Sequence, residues 1–211
     1  MAGPGDRPWH APSVLEPLQL DALETDVWGW LVRGKADRRS PFRTPVVATV
    51  GADGLPSART VVLRAVDPAA RVLEFHTDIR SPKAGELAKL KAVTWLFYDP
   101  KRQLQVRANT EAIMHTSDSV ADEAWAACAL PSRAPYMVPR SPGASLRTHE
   151  RPDSVAPPQV ESAEHSESGR AHFMAVRCRV EVFDVLQLHA EGHRRARLEL
   201  GPPSRATWLV P

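Results

Sequence analysis

Between Pro45 and His115 the chain repeats one pattern: a short β-branched or alternating run, a turn signal, then another run. Strands are predicted over 45–50, 58–66, 71–77, 93–98 and 103–115. Gly51-Ala-Asp-Gly54, Asp67-Pro68 and Asp99-Pro100 supply turns between them. The pattern resumes late in the chain, with strands expected over 173–188, 192–200 and 206–210. Helical spacing is confined to three places. Leu18, Leu20, Leu23, Val27, Trp30 and Leu31 recur at three- and four-residue intervals within 15–33, with Asp21 or Glu24 near the start. Residues 81–91 carry Leu87 and Leu90 on one side, and 118–130 carry Val120, Ala124 and Ala127. Six or more closely spaced short strands with three helices imply a mainly β (α+β) fold, a small barrel of six to eight strands with peripheral helices.

Two regions depart from this pattern. Residues 1–12 are rich in Pro and Gly and are expected to be flexible. Residues 131–170 hold seven of the twenty prolines among Ser, His and Glu, and read as a long loop with one helical turn. The expected organisation is one domain over 13–211 with that loop inserted.

Composition narrows the partners. A net charge of +2 with 25% charged residues offers no concentrated basic face, so nucleic acid is not expected. No stretch is long and apolar enough to span a bilayer, and residues 1–10 lack the apolar core of a secretory leader. Two cysteines, Cys128 and Cys178, form no disulfide framework, and reduced thiols point to the cytoplasm. The histidines show no zinc spacing, so no metal is expected.

One constellation suggests a ligand. Arg59-Thr-Val-Val-Leu-Arg64 brackets a β-branched run with two cations. Leu73-Glu-Phe-His-Thr-Asp-Ile-Arg-Ser-Pro-Lys83 ends a strand and opens a helix, with Ser81 at the N-cap and Pro82 at the first helical position. The amides and positive dipole end of such a helix favour an anion, and Lys83 adds a full charge. These residues read as a phosphate site.

The order of these motifs, with Arg102-Gln103 and the ending Trp208-Leu-Val-Pro211, resembles the pyridoxamine 5′-phosphate oxidase family of FMN-binding split barrels, in a divergent branch. The resemblance implies a homodimer with FMN in a groove between subunits. Arg59 and Lys83 would grip the FMN phosphate. The backbone of Thr60, Val61, Val62, Leu63 and Arg64 would follow the isoalloxazine edge. His76, Thr77 and Ser81 would flank the phosphate or ribityl chain, and Gln103 would reach the ring from a neighbouring strand or the partner chain. Arg64, Arg194 and Arg197 would contact a small, possibly anionic substrate. The activity implied is flavin-mediated hydride transfer with no catalytic side chain of the protein's own. The alternatives are a flavin reductase or dehydrogenase with a nicotinamide or deazaflavin partner, or a non-catalytic flavin-binding protein.

Overall fold

The computed structural model describes residues 18–190 and 192–211, so the expected flexible segment and the first residues of the predicted helix lie outside them. Helix α1 spans Leu23–Ala36, later than the 15–33 expected, with Glu24 and Asp26 in its first turn and Arg33 and Lys35 in its last. That charge order complements the helix dipole. Its buried stripe of Leu23, Val27 and Leu31 faces the sheet, and Trp28 meets Phe183 edge-on at 5.1 Å.

Among the described residues nine strands form one antiparallel sheet: β1 Val46–Val50, β2 Pro56–Thr60, β3 Ala65–Asp67, β4 Val72–Asp78, β5 Ala92–Asp99, β6 Leu104–His115, β7 Phe173–Gln187, β8 Arg194–Glu199 and β9 Arg205–Leu209. The order is β2-β1-β5-β6-β7-β4-β3, with β8 on β7 and β9 on β8. The expected split-barrel class stands, and the strand count exceeds the six to eight read from sequence. The difference comes mainly from the run 58–66, which is two strands and not one. After Thr60 the chain leaves β2: Val61 N–H donates to Pro45 O, Leu63 N–H to Arg43 O, and Arg64 N–H to Glu74 O. This crossing carries the backbone from one end of the strand path to the other, and the sheet stays open there.

The split lies in β7. Its first half pairs with β4 through Val72↔Arg179 to Asp78↔Phe173, and its second half pairs with β8 through Val182↔Glu199 to Gln187↔Arg194. A register shift opposite Asn109 and Thr110 marks the change of partner. Such a bulge re-aims a strand and increases its twist. The interior is filled by Leu73, Phe75, Trp95, Phe97, Val106, Val176 and Phe183, with Phe75 and Trp95 at 5.5 Å and Trp95 stacked on Phe97 at 5.9 Å. Truncating a buried aromatic of this kind costs about 3–5 kcal/mol.

Two further helices pack on the strands, α2 (Pro82–Lys89) on β1 and α3 (Ser119–Ala127) on β7. α3 is capped by the Asp118 side chain, which accepts from Ala121 N–H at 3.0 Å. α4, Leu130–Arg133, opens the region expected to be a loop with one helical turn. That region also holds α5, Ala163–Ser166, and 3-10 turns at Ala134–Met137, Pro152–Val155 and Glu167–His172. Its order comes from long-range anchors. The buried Arg133 donates to Cys128 O, Ala126 O and Ser166 Oγ and stacks over Trp125. Arg80 donates to Val138 O and Pro139 O, and Trp125, Tyr136, Phe173 and Ala175 form a second apolar cluster. Among the described residues no helix is long and apolar enough to cross a membrane, and no cluster of three or more potential metal ligands occurs.

Candidate functional site

Strand alternation sorts the sequence-predicted residues onto two faces. On β4, Leu73, Phe75 and Thr77 share the interior face, whereas Glu74 and His76 share the outer one. Thr77 and His76 therefore belong to different neighbourhoods.

The first neighbourhood lies where α2 meets the β1–β2 hairpin. Ser57 pairs with Thr49 across the hairpin, and Arg59 follows on the same face as Ser57. The Arg59 guanidinium donates from Nη1 to Thr49 Oγ1, from Nη2 to Ser57 Oγ at 2.6 Å, and from Nη2 to Glu86 Oε2 at 2.9 Å. Thr49 Oγ1 in turn donates to the same Glu86 oxygen. Lys83, one turn before Glu86 on α2, donates from Nζ to Thr77 Oγ1 at 2.9 Å, and Thr77 and Ser81 hydroxyls are 3.2 Å apart. Ser81 precedes the helix as expected, but its hydroxyl turns to Thr77 and caps no amide. Burial and the neighbouring Arg59 push the Lys83 ammonium below the usual lysine range, with Glu86 and Asp78 opposing. Two cations thus crowd at a helix start, one of them paired with Glu86, and such a donor set suits a phosphate.

The crossing at 61–64 leaves this mouth. Leu63 is fully buried, and Thr60 points outward, away from Arg59's face. Val62 supplies the one amide at positions 61–64 that has no hydrogen-bond partner among the described residues. It is a main-chain donor open to a polar ring edge.

The second neighbourhood begins at Arg64. Its half-buried guanidinium makes no ion pair or hydrogen bond among the described residues, and it lies close enough to Cys128 and Tyr136 to oppose the rise in their pKa values. It lines a cavity of about 440 Å³ with Arg43, Glu74, His76, Cys128 and Arg177. Here His76 Nε2 lies 2.9 Å from Glu74 Oε1, and Arg177 Nε donates to Glu74 Oε2 at 2.9 Å. Burial works to raise the Glu74 carboxyl, but these partners hold it below the usual range. His76 Nδ1 is buried without a partner.

The remaining candidates sit elsewhere. Gln103 occupies the β5–β6 turn at φ +50°, where its carbonyl accepts from Leu188 N–H. It was expected to begin a strand, and β6 starts one residue later because that turn geometry precludes pairing. Arg194 is opposite Gln187 and donates to Leu18 O, while Arg197 lies on the other face of β8 and pairs with Glu199 at 3.0 Å. Met174, opposite Thr77, and Gln187, opposite Arg194, are separated by roughly 40 Å of β7 at the usual rise per residue. Thr77, the partner of Lys83, and Arg194 therefore pair with opposite ends of β7.

Sequence reasoning missed Thr49, Ser57 and Glu86. The available signal for Glu86 was its position three residues after Lys83, which places both on one helix face.

Comparison with known proteins bears on the domain and the fold. Residues 27–116 match the family model of the pyridoxamine 5′-phosphate oxidase FMN-binding domain. Pyridoxine/pyridoxamine 5′-phosphate oxidase 2 of Arabidopsis thaliana is 31% identical over 116 residues, covering 52% of this chain and 58% of its own. The pyridoxine/pyridoxamine 5′-phosphate oxidase of Burkholderia vietnamiensis is 38% identical over 104 residues, covering 49% and 47%. The chain thus spans about half the length of the curated relatives it matches. Among solved structures, a pyridoxamine 5′-phosphate oxidase-related, FMN-binding protein from Nostoc punctiforme superposes with a TM-score of 0.67 at 20% identity, over 92% of this chain and 100% of that one. PhzG from Burkholderia lata, solved with tetrahydrophenazine-1-carboxylic acid, gives 0.69 at 20% identity, over 95% and 100%. At that identity the likeness speaks to the fold alone. Residues 27–116 thus match the pyridoxamine 5′-phosphate oxidase FMN-binding domain, and the open split sheet around them has the fold of the FMN-binding split barrels.

Proposed function

We propose that this protein is an FMN-dependent oxidoreductase working as a homodimer in the cytoplasm. The observation that carries the reading is the proximity of Arg59 and Lys83 at the α2 mouth, where Arg59 is paired with Glu86. These two side chains would hold the FMN phosphate, with Thr77 and Ser81 hydroxyls beside it. The Val62 amide, between flanking Val61 and Leu63, would donate to the polar edge of the ring. Bound FMN would supply hydride-accepting chemistry, and the protein would supply position and charge. Gln103, Arg194 and Arg197 would serve the mouth of a second copy. Arg64, unpaired and facing the cavity with Arg43 and Arg177, would receive a small anionic substrate. His76, across that cavity wall, would frame the substrate side and leave the phosphate to others.

The curated relatives are named for pyridoxine and pyridoxamine phosphates, which are small anions of the expected kind. A panel assay tests the reading. The purified protein should carry a yellow chromophore with the mass of FMN, and it should release hydrogen peroxide with at least one phosphorylated or carboxylated amine or alcohol. A flavin-loaded protein silent with these but oxidised or reduced by a nicotinamide or deazaflavin would move the assignment to a reductase. Silence with every partner would leave a flavin carrier, and absence of flavin binding would sink the proposal.

A further inference from the structure

The mouth of α2 contains a group that a phosphate site does not obviously want: a carboxylate. Glu86 is nearly buried, its side chain 12% exposed, and it faces the same space as Lys83 and Arg59. A guanidinium has five N–H donors. In Arg59 three are committed, to Thr49, Ser57 and Glu86, which leaves Nε–H and one Nη1–H uncommitted on different edges of the group. Thr49 closes the ring by accepting from Arg59 and donating to Glu86. The three partners come from β1, β2 and α2, so the guanidinium's plane is fixed by three separate elements. A long, rotamer-rich side chain is thereby ordered before any anion arrives, and pre-organisation of this kind lowers the cost of binding.

We propose that Glu86 is the positioning residue of the phosphate cradle: it holds Arg59 in the orientation that presents an uncommitted N–H donor to the phosphate beside Lys83. This inference rests on the reading of Arg59 and Lys83 as the FMN phosphate site. Glu86 stays ionised in that role, since burial works to raise its carboxyl but the Thr49 and Arg59 hydrogen bonds hold it below the usual range. The charges facing it are Arg59 from β2 and Lys83 from its own helix. Its part is geometric, and a neutral acceptor of the same length would fill it.

Glu86→Asp keeps the charge and withdraws the oxygens by one methylene, whereas Glu86→Gln keeps the reach and drops the charge. FMN and riboflavin titrations, read by flavin fluorescence quenching, separate the possibilities. Glu86→Asp should weaken FMN about tenfold, the scale of one well-placed hydrogen bond to a charged group, and leave riboflavin unchanged. Glu86→Gln should stay within about threefold of wild type. In an Arg59→Ala background, Glu86→Asp should cost nothing more, because no guanidinium remains to position. Wild-type FMN affinity in Glu86→Asp, tighter FMN binding in Glu86→Gln, or an equal loss with and without Arg59 would each overturn the inference. Equal wild-type affinity for FMN and riboflavin would instead overturn the phosphate site itself.

Discussion

Removing both cations of the α2 mouth should erase the protein's preference for FMN over riboflavin. In Arg59→Ala/Lys83→Ala the phosphate loses two charge-assisted partners, each worth about 1.5–3 kcal/mol. The Arg59 side chain is 22% exposed, so screening places its share toward the lower bound. A combined loss of about 3–4 kcal/mol corresponds to roughly a 150- to 1,000-fold weaker Kd for FMN. Each single variant should retain part of the preference. Riboflavin, which lacks the phosphate, should bind all four proteins alike. The assay is fluorescence quenching of each flavin by each variant, with thermal melting alongside to verify that the fold persists. A double variant that folds and still prefers FMN by the wild-type ratio would refute the assignment of these residues.

Further expectations follow from other parts of the molecule. Lys83 titrates below the ordinary lysine range, and its proposed contact with phosphate would exist only while it is protonated. FMN affinity should therefore fall as pH rises through that lowered value, and Lys83→Arg, which stays charged, should flatten the alkaline limb of a Kd-versus-pH series. Glu74 has a folded pKa below its unfolded one, so its stabilising contribution is complete above the usual carboxylate range and is lost as pH falls through the folded value. Urea denaturation across the acid range should show a shallower loss of stability in Glu74→Gln than in wild type. A Cβ built at Gly34 meets Phe42 Cβ at 2.7 Å. Gly34→Ala should thus destabilise by about 1–3 kcal/mol despite its better helix propensity, as read from the denaturation midpoint.

Much of the barrel was legible because short-range signals and tertiary structure agree. The 51–54 turn forms with Gly54 at φ +80°, a value that glycine accepts freely, and β1 and β2 flank it in simple hairpin register. The break after Thr60 was not legible. Val61 and Val62 continue a strand-like composition, and only the competing backbone partners Pro45, Arg43 and Glu74, fixed by the rest of the sheet, pull the chain across. The segment 131–170 looked structureless for a related reason. Its order depends on Arg133, Arg80 and the pairing of His172 with Tyr136 O, none of which leaves a local period. In the candidate site, Arg59, Lys83 and Arg64 stood out as cations near turns. The separation of His76 from Thr77 follows from alternation within β4, whereas Glu86 and Thr49 become visible only once α2 is docked on β1.

In the proposed function two copies of this chain complete one another's flavin site. Sedimentation velocity of the FMN-loaded protein, followed at the flavin's visible absorbance, tests that most directly. The flavin should travel only with a dimer, at one FMN per chain, and should leave the protein as dilution splits the pair. Flavin sedimenting with a monomer at undiminished occupancy would contradict it.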